Sequence, residues 1–136
     1  MAVGLQAPSR LYPVKGIRLS ALHCGIKAGS ETKDLALIEI APGASVAAVF
    51  TRSHFCAAPV TLCKQHLALQ QSARFLLINS GNANAATGQQ GLDNGRACCA
   101  SVAAAGGVGA EEVLPFSTGV IAEQLNIEPV TRAIPD

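Results

Sequence analysis

The stretch from residue 74 to residue 105 constrains this chain more than any other. Residues 74–79, RFLLIN, are its strongest strand signal, an unbroken apolar run expected to sit centrally in a sheet. Residues 80–91, SGNANAATGQQG, follow at once. Residues 92–105, LDNGRACCASVAAA, come next, with an alanine-rich second half of high helix propensity and a glycine stop at Gly106 and Gly107. A loop of small and amide residues therefore follows a buried strand and precedes a helix. Such a junction turns backbone N–H groups and the positive end of a helix toward whatever binds there.

The rest of the chain reads as short elements. Residues 17–27 alternate in part, with no breaker before Gly25, and predict a strand. Residues 34–40, DLALIEI, and 45–51, SVAAVFT, predict two more, separated by Ala41-Pro42-Gly43. Short strands joined by turns suggest antiparallel pairing. In residues 60–71 the apolar side chains of Val60, Cys63 and Leu67 have helical spacing, and Pro59 suits a first turn. Ile127, Val130 and Ile134 share one face of a helix beginning near Ile127, and that face is expected to continue beyond Asp136.

Composition narrows the function. A chain of 136 residues is one domain's length, and residues 1–136 are expected to form a single segment. Apolar residues make up 49% and charged residues 14%, which argues against disorder and suggests that part of the surface faces another polypeptide. The net charge of +1 offers no excess to hold a phosphate backbone, so nucleic acid is not expected as a partner. No apolar run is long enough for a membrane span, and the first residues lack a secretory signal's apolar core. The cysteines, Cys24, Cys56, Cys63, Cys98 and Cys99, are odd in number and form no C-x-x-C pair. They argue against a disulfide framework and for a reducing cytoplasm. His23, His54 and His66 lie far apart, so no metal site is expected, and His54 and His66 are expected on the surface.

Two stretches could carry chemistry. Residues 80–88 match neither a Walker loop nor G-x-G-x-x-G, and Ser80 is not in a G-x-S-x-G elbow. A phosphate- or nucleotide-binding module using the loop between Gly81 and Gly88 is one reading. The other is a tight loop whose asparagines, Asn82 and Asn84, satisfy the backbone and tolerate positive φ. At Pro115-Phe116-Ser117-Thr118-Gly119-Val120, a Thr-Gly step at a strand end exposes a hydroxyl and an unhindered N–H that could hold a developing oxyanion, or else forms a plain turn. Glu111 and Glu112, being adjacent, point to different faces. Cys98 and Cys99 read as core packing rather than reactive thiols.

In order along the chain come Asp34-Leu35-Ala36-Leu37-Ile38, Ala47-Ala48-Val49-Phe50-Thr51, Phe55-Cys56-Ala57-Ala58-Pro59-Val60, Asn79-Ser80-Gly81-Asn82-Ala83-Asn84-Ala85 and Ser117-Thr118-Gly119-Val120-Ile121. Together they resemble the ornithine acetyltransferase family, the bifunctional glutamate N-acetyltransferases of arginine biosynthesis, over nearly the whole chain. The resemblance implies a layered α/β sandwich of the DmpA-like type, similar to N-terminal nucleophile hydrolases. It implies a precursor that cuts itself before a threonine into an α and a β chain, assembled as α2β2 in the cytoplasm. The new N-terminal threonine takes the acetyl group from N-acetylornithine and passes it to glutamate, with acetyl-CoA as a further donor in some members and no other cofactor. The Thr-Gly pair of the family's oxyanion hole maps onto Thr118 and Gly119, and Asn82 and Asn84 fall in the loop that supports the active site.

This sequence departs from the family in one respect. The self-cleavage segment, typically K-G-T-G-M-I-A-P-N-M-A-T, does not occur in it, nor does the nucleophilic threonine or the family's substrate-binding lysine. The expectation is an incomplete α chain, inactive alone, that supplies scaffold and oxyanion hole but no substrate-binding residue. A non-catalytic interaction domain with a small-residue interface is the third reading, beside the acetyltransferase and the phosphate-binding module.

Overall fold

The computed structural model describes residues 6 and 8–134. Four strands, β1 (Ile17–Leu22), β2 (Leu35–Ile40), β3 (Phe75–Asn82) and β4 (Val113–Val120), form one sheet in the order β1-β2-β3-β4. The first three are antiparallel neighbours and β4 runs parallel to β3. Helix α1 (Ala58–Leu69) precedes β3, α2 (Gly88–Gly106) makes the crossover from β3 to β4, and α3 (Glu128–Ala133) follows β4. This is the mixed α/β architecture expected. The central placement of the RFLLIN strand, the helix opened by Pro59 and the glycine stop are all present, the last with Gly107 in the left-handed region at φ 65°. Of the three short strands expected to pair antiparallel, β1 and β2 do so.

Alternation along the strands sorts the side chains. Leu35, Phe75, Leu77 and Val113 face α2, which meets them with Cys98, Cys99, Val102 and Ala103, and Leu125 and Val130 complete this core. The buried positions of α2 recur at Gly91, Asn94, Gly95, Cys98 and Val102, one stripe at helical spacing. Gly95 lets α1 approach: a Cβ there would lie 2.5 Å from Cδ1 of Leu62, which is itself fully buried. The opposite face carries Ile38, Ile78 and Phe116. Cys63, Leu67 and Val46 cover it beside Leu76 and Leu114, while Leu19 and Phe116 stay exposed.

Three expectations need correcting. Residues 45–51 form no strand; they run irregularly along the surface, with Val49 and Phe55 almost wholly exposed. Strand propensity has no effect without a pairing partner, and α1 side chains already hold the outer carbonyls of β4 beside this segment. The strand expected over 17–27 ends at Leu22, because residues 23–27 turn around the Asp34 carboxylate. His66 is buried, not on the surface.

The reason for His66's burial is the edge of β4. Across the ladder Glu112 O accepts from Arg74 N and Val120 O accepts from Ala83 N. The carbonyls of Val113 and Pro115 therefore point away from β3. His66 Nδ1 lies 2.8 Å from the first, and Cys63 Sγ donates to the second at 3.3 Å. Pro115 has no N–H to leave unpaired, which suits an edge strand. Replacing His66 by Leu leaves the buried Val113 carbonyl without a donor and should cost about 1–3 kcal/mol. Urea unfolding checks this; an unchanged midpoint would mean that water reaches the carbonyl.

Candidate functional site

The two stretches singled out in sequence meet at one end of the sheet. Strand β3 continues through Ser80, Gly81 and Asn82, and β4 includes Ser117, Thr118 and Gly119. Asn79 pairs with Ser117, Ser80 with Thr118 and Gly81 with Gly119, after which the register shifts at a bulge between Gly81 and Asn82. Bulges of this kind re-aim a strand's end. Thr118 and Gly119 thus lie within a strand rather than in a turn, and both are exposed. Alternation sets Thr118 on the face of Phe116, away from α2. It turns the Gly119 peptide to the same side as those of Val113 and Pro115, away from β3.

Gly119 has φ +137° and Gly81 has φ +102°. A Cβ on Gly119 would overlap the carbonyl of Gly81 and come within 2.5 Å of Asn82 N, so nothing larger fits. On its other side, Gly81 is backed by Ile26 and Lys27: a Cβ there would sit 2.8 Å from Lys27 Cγ and 3.3 Å from Ile26 Cγ2. Gly81 thus lies between the backbone of Gly119 and the side chains of Ile26 and Lys27.

Buried amides hold the surrounding loop. Asn79 Nδ2 donates to Asn82 O at 2.8 Å, and Ser117 Oγ meets Asn79 Oδ1 at 2.6 Å. Asn82 Oδ1 accepts from Asn84 N, while Asn82 Nδ2 donates to Glu123 O. Asn84, at φ 45° and 1% exposed, donates to Gly91 O and accepts from Thr87 Oγ1. Asn94 Nδ2 donates to Leu125 O, and Gln124 Nε2 to Thr87 O. The expected ability of an asparagine to accept positive φ is realised at Asn84. The hollow in front of α2, lined by Cys56, Thr61, Thr87, Gly88 and their neighbours, has no cationic side chain. The side-chain amides of Asn82 and Asn84 are spent inside the protein.

Asp34 is the residue that sequence reading missed. Its carboxylate, with no exposed surface, accepts from the N–H groups of Cys24, Gly25 and Lys27 at 2.7, 3.1 and 3.0 Å. His23 Nδ1 stands 3.4 Å from it and 3.1 Å from Thr32 O. Burial alone would raise the Asp34 pKa; the N–H groups of Cys24, Lys27 and Gly25 outweigh it and hold the carboxyl at about 2. Its own carbonyl accepts from Ser80 N. Asp34 therefore pins the 24–27 turn that backs Gly81. The only sequence signal was an acidic residue at a strand start, and its donors lie up to ten residues upstream.

Four of the cysteines, Cys24, Cys63, Cys98 and Cys99, are held in the thiol form. Burial pushes Cys63 up to about 11, and burial with neighbouring thiols brings Cys98 to about 11 and Cys99 to about 12. Burial and then the Asp34 carboxylate bring Cys24 to about 11. None of these is a thiolate near neutral pH, so none is a nucleophile. Among the described residues no three His, Cys, Asp or Glu side chains converge as a metal site, and no helix is long and apolar enough to cross a membrane. What the sheet end presents is an exposed hydroxyl and a peptide N–H on closely packed backbone.

A family model described as the ArgJ family matches residues 18–136. The chain is 51% identical over 126 residues to the arginine biosynthesis bifunctional protein ArgJ of Methylococcus capsulatus, a match covering 93% of this chain and 30% of that protein. The chain thus spans less than a third of that relative's length. Two solved structures share the fold. The arginine biosynthesis bifunctional protein ArgJ of Bacillus halodurans superposes with a TM-score of 0.84 at 34% identity, over 90% of this chain and 63% of that one. Ornithine acetyltransferase of Mycobacterium tuberculosis, solved with ornithine, gives 0.83 at 36% identity, over 89% of this chain and 65% of that one.

The depressed Asp34 pKa has a direct consequence for stability. A carboxyl that titrates near 2 when folded and near 3.9 when unfolded adds about 2 kcal/mol above pH 5, and this is lost as the pH falls through 2. Asp34→Asn should lower the urea midpoint at pH 7, and the gap to the parent should narrow as the pH approaches 2. A gap that stays constant from pH 7 to pH 2 would contradict the charged clamp.

Proposed function

The chain belongs to the ArgJ family, and from that premise we propose that it forms part of an acetyltransferase of arginine biosynthesis that moves an acetyl group from N-acetylornithine to glutamate. In this reading Thr118 and Gly119 are the oxyanion hole. The observation that carries it is the close approach of Gly81 and Gly119, which sets the exposed Thr-Gly step in strand β4 against the β3 backbone with no room for a side chain between them. Preorganised donors are what acyl transfer needs, because reorganising dipoles during the reaction would raise the barrier.

The chemistry takes two steps. A threonine hydroxyl supplied by the β chain attacks the acetyl carbonyl of N-acetylornithine. Negative charge gathers on the carbonyl oxygen, where the Thr118 hydroxyl and the Gly119 N–H donate to it. Collapse breaks the C–N bond, and ornithine leaves after its nitrogen takes up a proton. The amine of glutamate then attacks the acetyl-threonine, the same donors serve the second oxyanion, and collapse breaks the ester C–O bond, so that the threonine hydroxyl re-forms with the proton the amine gives up. Acetyl-CoA enters as an alternative donor, and no cofactor is required.

Thr118 stands on the face that α2 leaves uncovered, beside Phe116. A nucleophile from a second chain would approach across that face, and the exposed Leu19 and Phe116 would be buried by the same contact. We therefore read the partner as the β chain of the same precursor, produced by self-cleavage, in an α2β2 assembly in the cytoplasm, with this chain inactive alone. Asn82 and Asn84 are the support of the site. The phosphate-binding reading lacks a cationic lining, and no observation favours the interaction-domain reading over the family's chemistry.

In the assembled enzyme, Thr118→Ala should lower kcat by about 10²–10³ with a much smaller change in KM. Thr118→Ser should restore much of the loss, since the hydroxyl returns. Steady-state transfer from N-acetylornithine to glutamate measures both. A folded Thr118→Ala enzyme with near-full kcat would remove Thr118 from the oxyanion hole.

A further inference from the structure

We infer that Asn79 is a positioning residue for the Thr118–Gly119 pair and acts through Ser117; the inference rests on the oxyanion reading above. Asn79 is 6% exposed and sits on the α2 face of β3, directly opposite Ser117 in the parallel register. The Ser117 hydroxyl donates to its Oδ1 at 2.6 Å, the shortest link in the amide network, and its Nδ2 donates to Asn82 O at 2.8 Å. One planar amide thus ties the residue before Thr118 to the carbonyl of the bulge that follows Gly81.

The geometry explains why this tie matters. Among the described residues strand β4 has no neighbouring strand beyond it, and the α1 side-chain donors on its outer edge reach Val113 and Pro115. From Ser117 onward the side chain of Asn79 takes over, on the α2 side, the role that α1 plays earlier. The Gly81 backbone lies so near Gly119 that no side chain fits between them. The Ser117–Asn79 hydrogen bond adds a side-chain tie to the backbone ladder, which continues past Gly119 to the bond from Ala83 N to Val120 O. Its loss would loosen the placement of the Thr118 hydroxyl and the Gly119 N–H against the developing oxyanion.

A misplacement near 1 Å costs up to about 100-fold in rate. In the assembled enzyme, Asn79→Ala and Ser117→Ala should each lower kcat by about 10–100-fold per titrated active site, with KM changed less than about twofold. Ser117→Thr, which keeps the hydroxyl, should recover most of the rate. Because both residues act along one path, the double variant should lose no more than Asn79→Ala alone. In a Thr118→Ala background, Asn79→Ala should have little further effect on kcat. If Asn79→Ala does not fold, Ser117→Ala and Ser117→Thr carry the test alone. Independent multiplicative losses in the double variant, or a Ser117→Ala enzyme that is merely less stable with unchanged kcat, overturn the inference. If Thr118→Ala loses rate while Ser117→Ala does not, the positioning role fails and the oxyanion reading stands; if Thr118→Ala keeps its rate, both fail.

Discussion

The structure depends on one requirement: an irregular loop has to lie inside the protein without leaving its peptide groups unpaired. Residues 79–94 meet it with side-chain amides. An asparagine carries a donor and an acceptor in the same geometry as a peptide, so it can complete a ladder where the backbone bends away. Asn79, Asn82, Asn84 and Asn94 each do this toward a different stretch, reaching Ser117, Glu123, Gly91 and Leu125. Among the described residues no buried side-chain nitrogen or oxygen is left without a partner. A network satisfied throughout is rigid, since moving one member strands another.

That rigidity gives the sheet end its character. Two glycines from distant parts of the chain touch through their backbones, and the 24–27 turn, pinned by a carboxylate, backs them from behind. The exposed Thr118 and Gly119 sit on top of this stack. The sheet end thus presents a hydroxyl and a glycine peptide on an exposed surface backed closely by other backbone.

Much of this was legible in sequence, for local reasons. RFLLIN is a strand because its apolar run admits nothing else, α1 begins at its proline, and α2 ends at its glycine. The two motifs could be singled out because their small and amide residues fit neither a core strand nor a core helix. Their adjacency could not be read. Gly119 looks like a turn glycine until Gly81 lies against it, and that contact spans the whole β3–α2–β4 crossover. Asp34 looks like the polar start of a strand until the turn at 24–27 closes on it. His66 looks like a surface residue of an amphipathic helix, because the carbonyl that recruits it belongs to a strand 47 residues later. SVAAVFT has every local mark of a strand and no partner. In each case the deciding group is remote in sequence.

The sealing of β4 by α1 also bears on how the chain acquires its shape. A parallel pair joined by a long helical crossover closes late, because its ends must find one another through a large loop. During that interval the outer row of β4 carbonyls would be open to the wrong strand, the usual route to aggregates. Helix α1 precedes β3 and β4 in the chain, so on a ribosome it emerges before the edge it protects. The order of elements along the gene thus has a chaperoning value: the guard is made first, and the vulnerable strand docks beneath it.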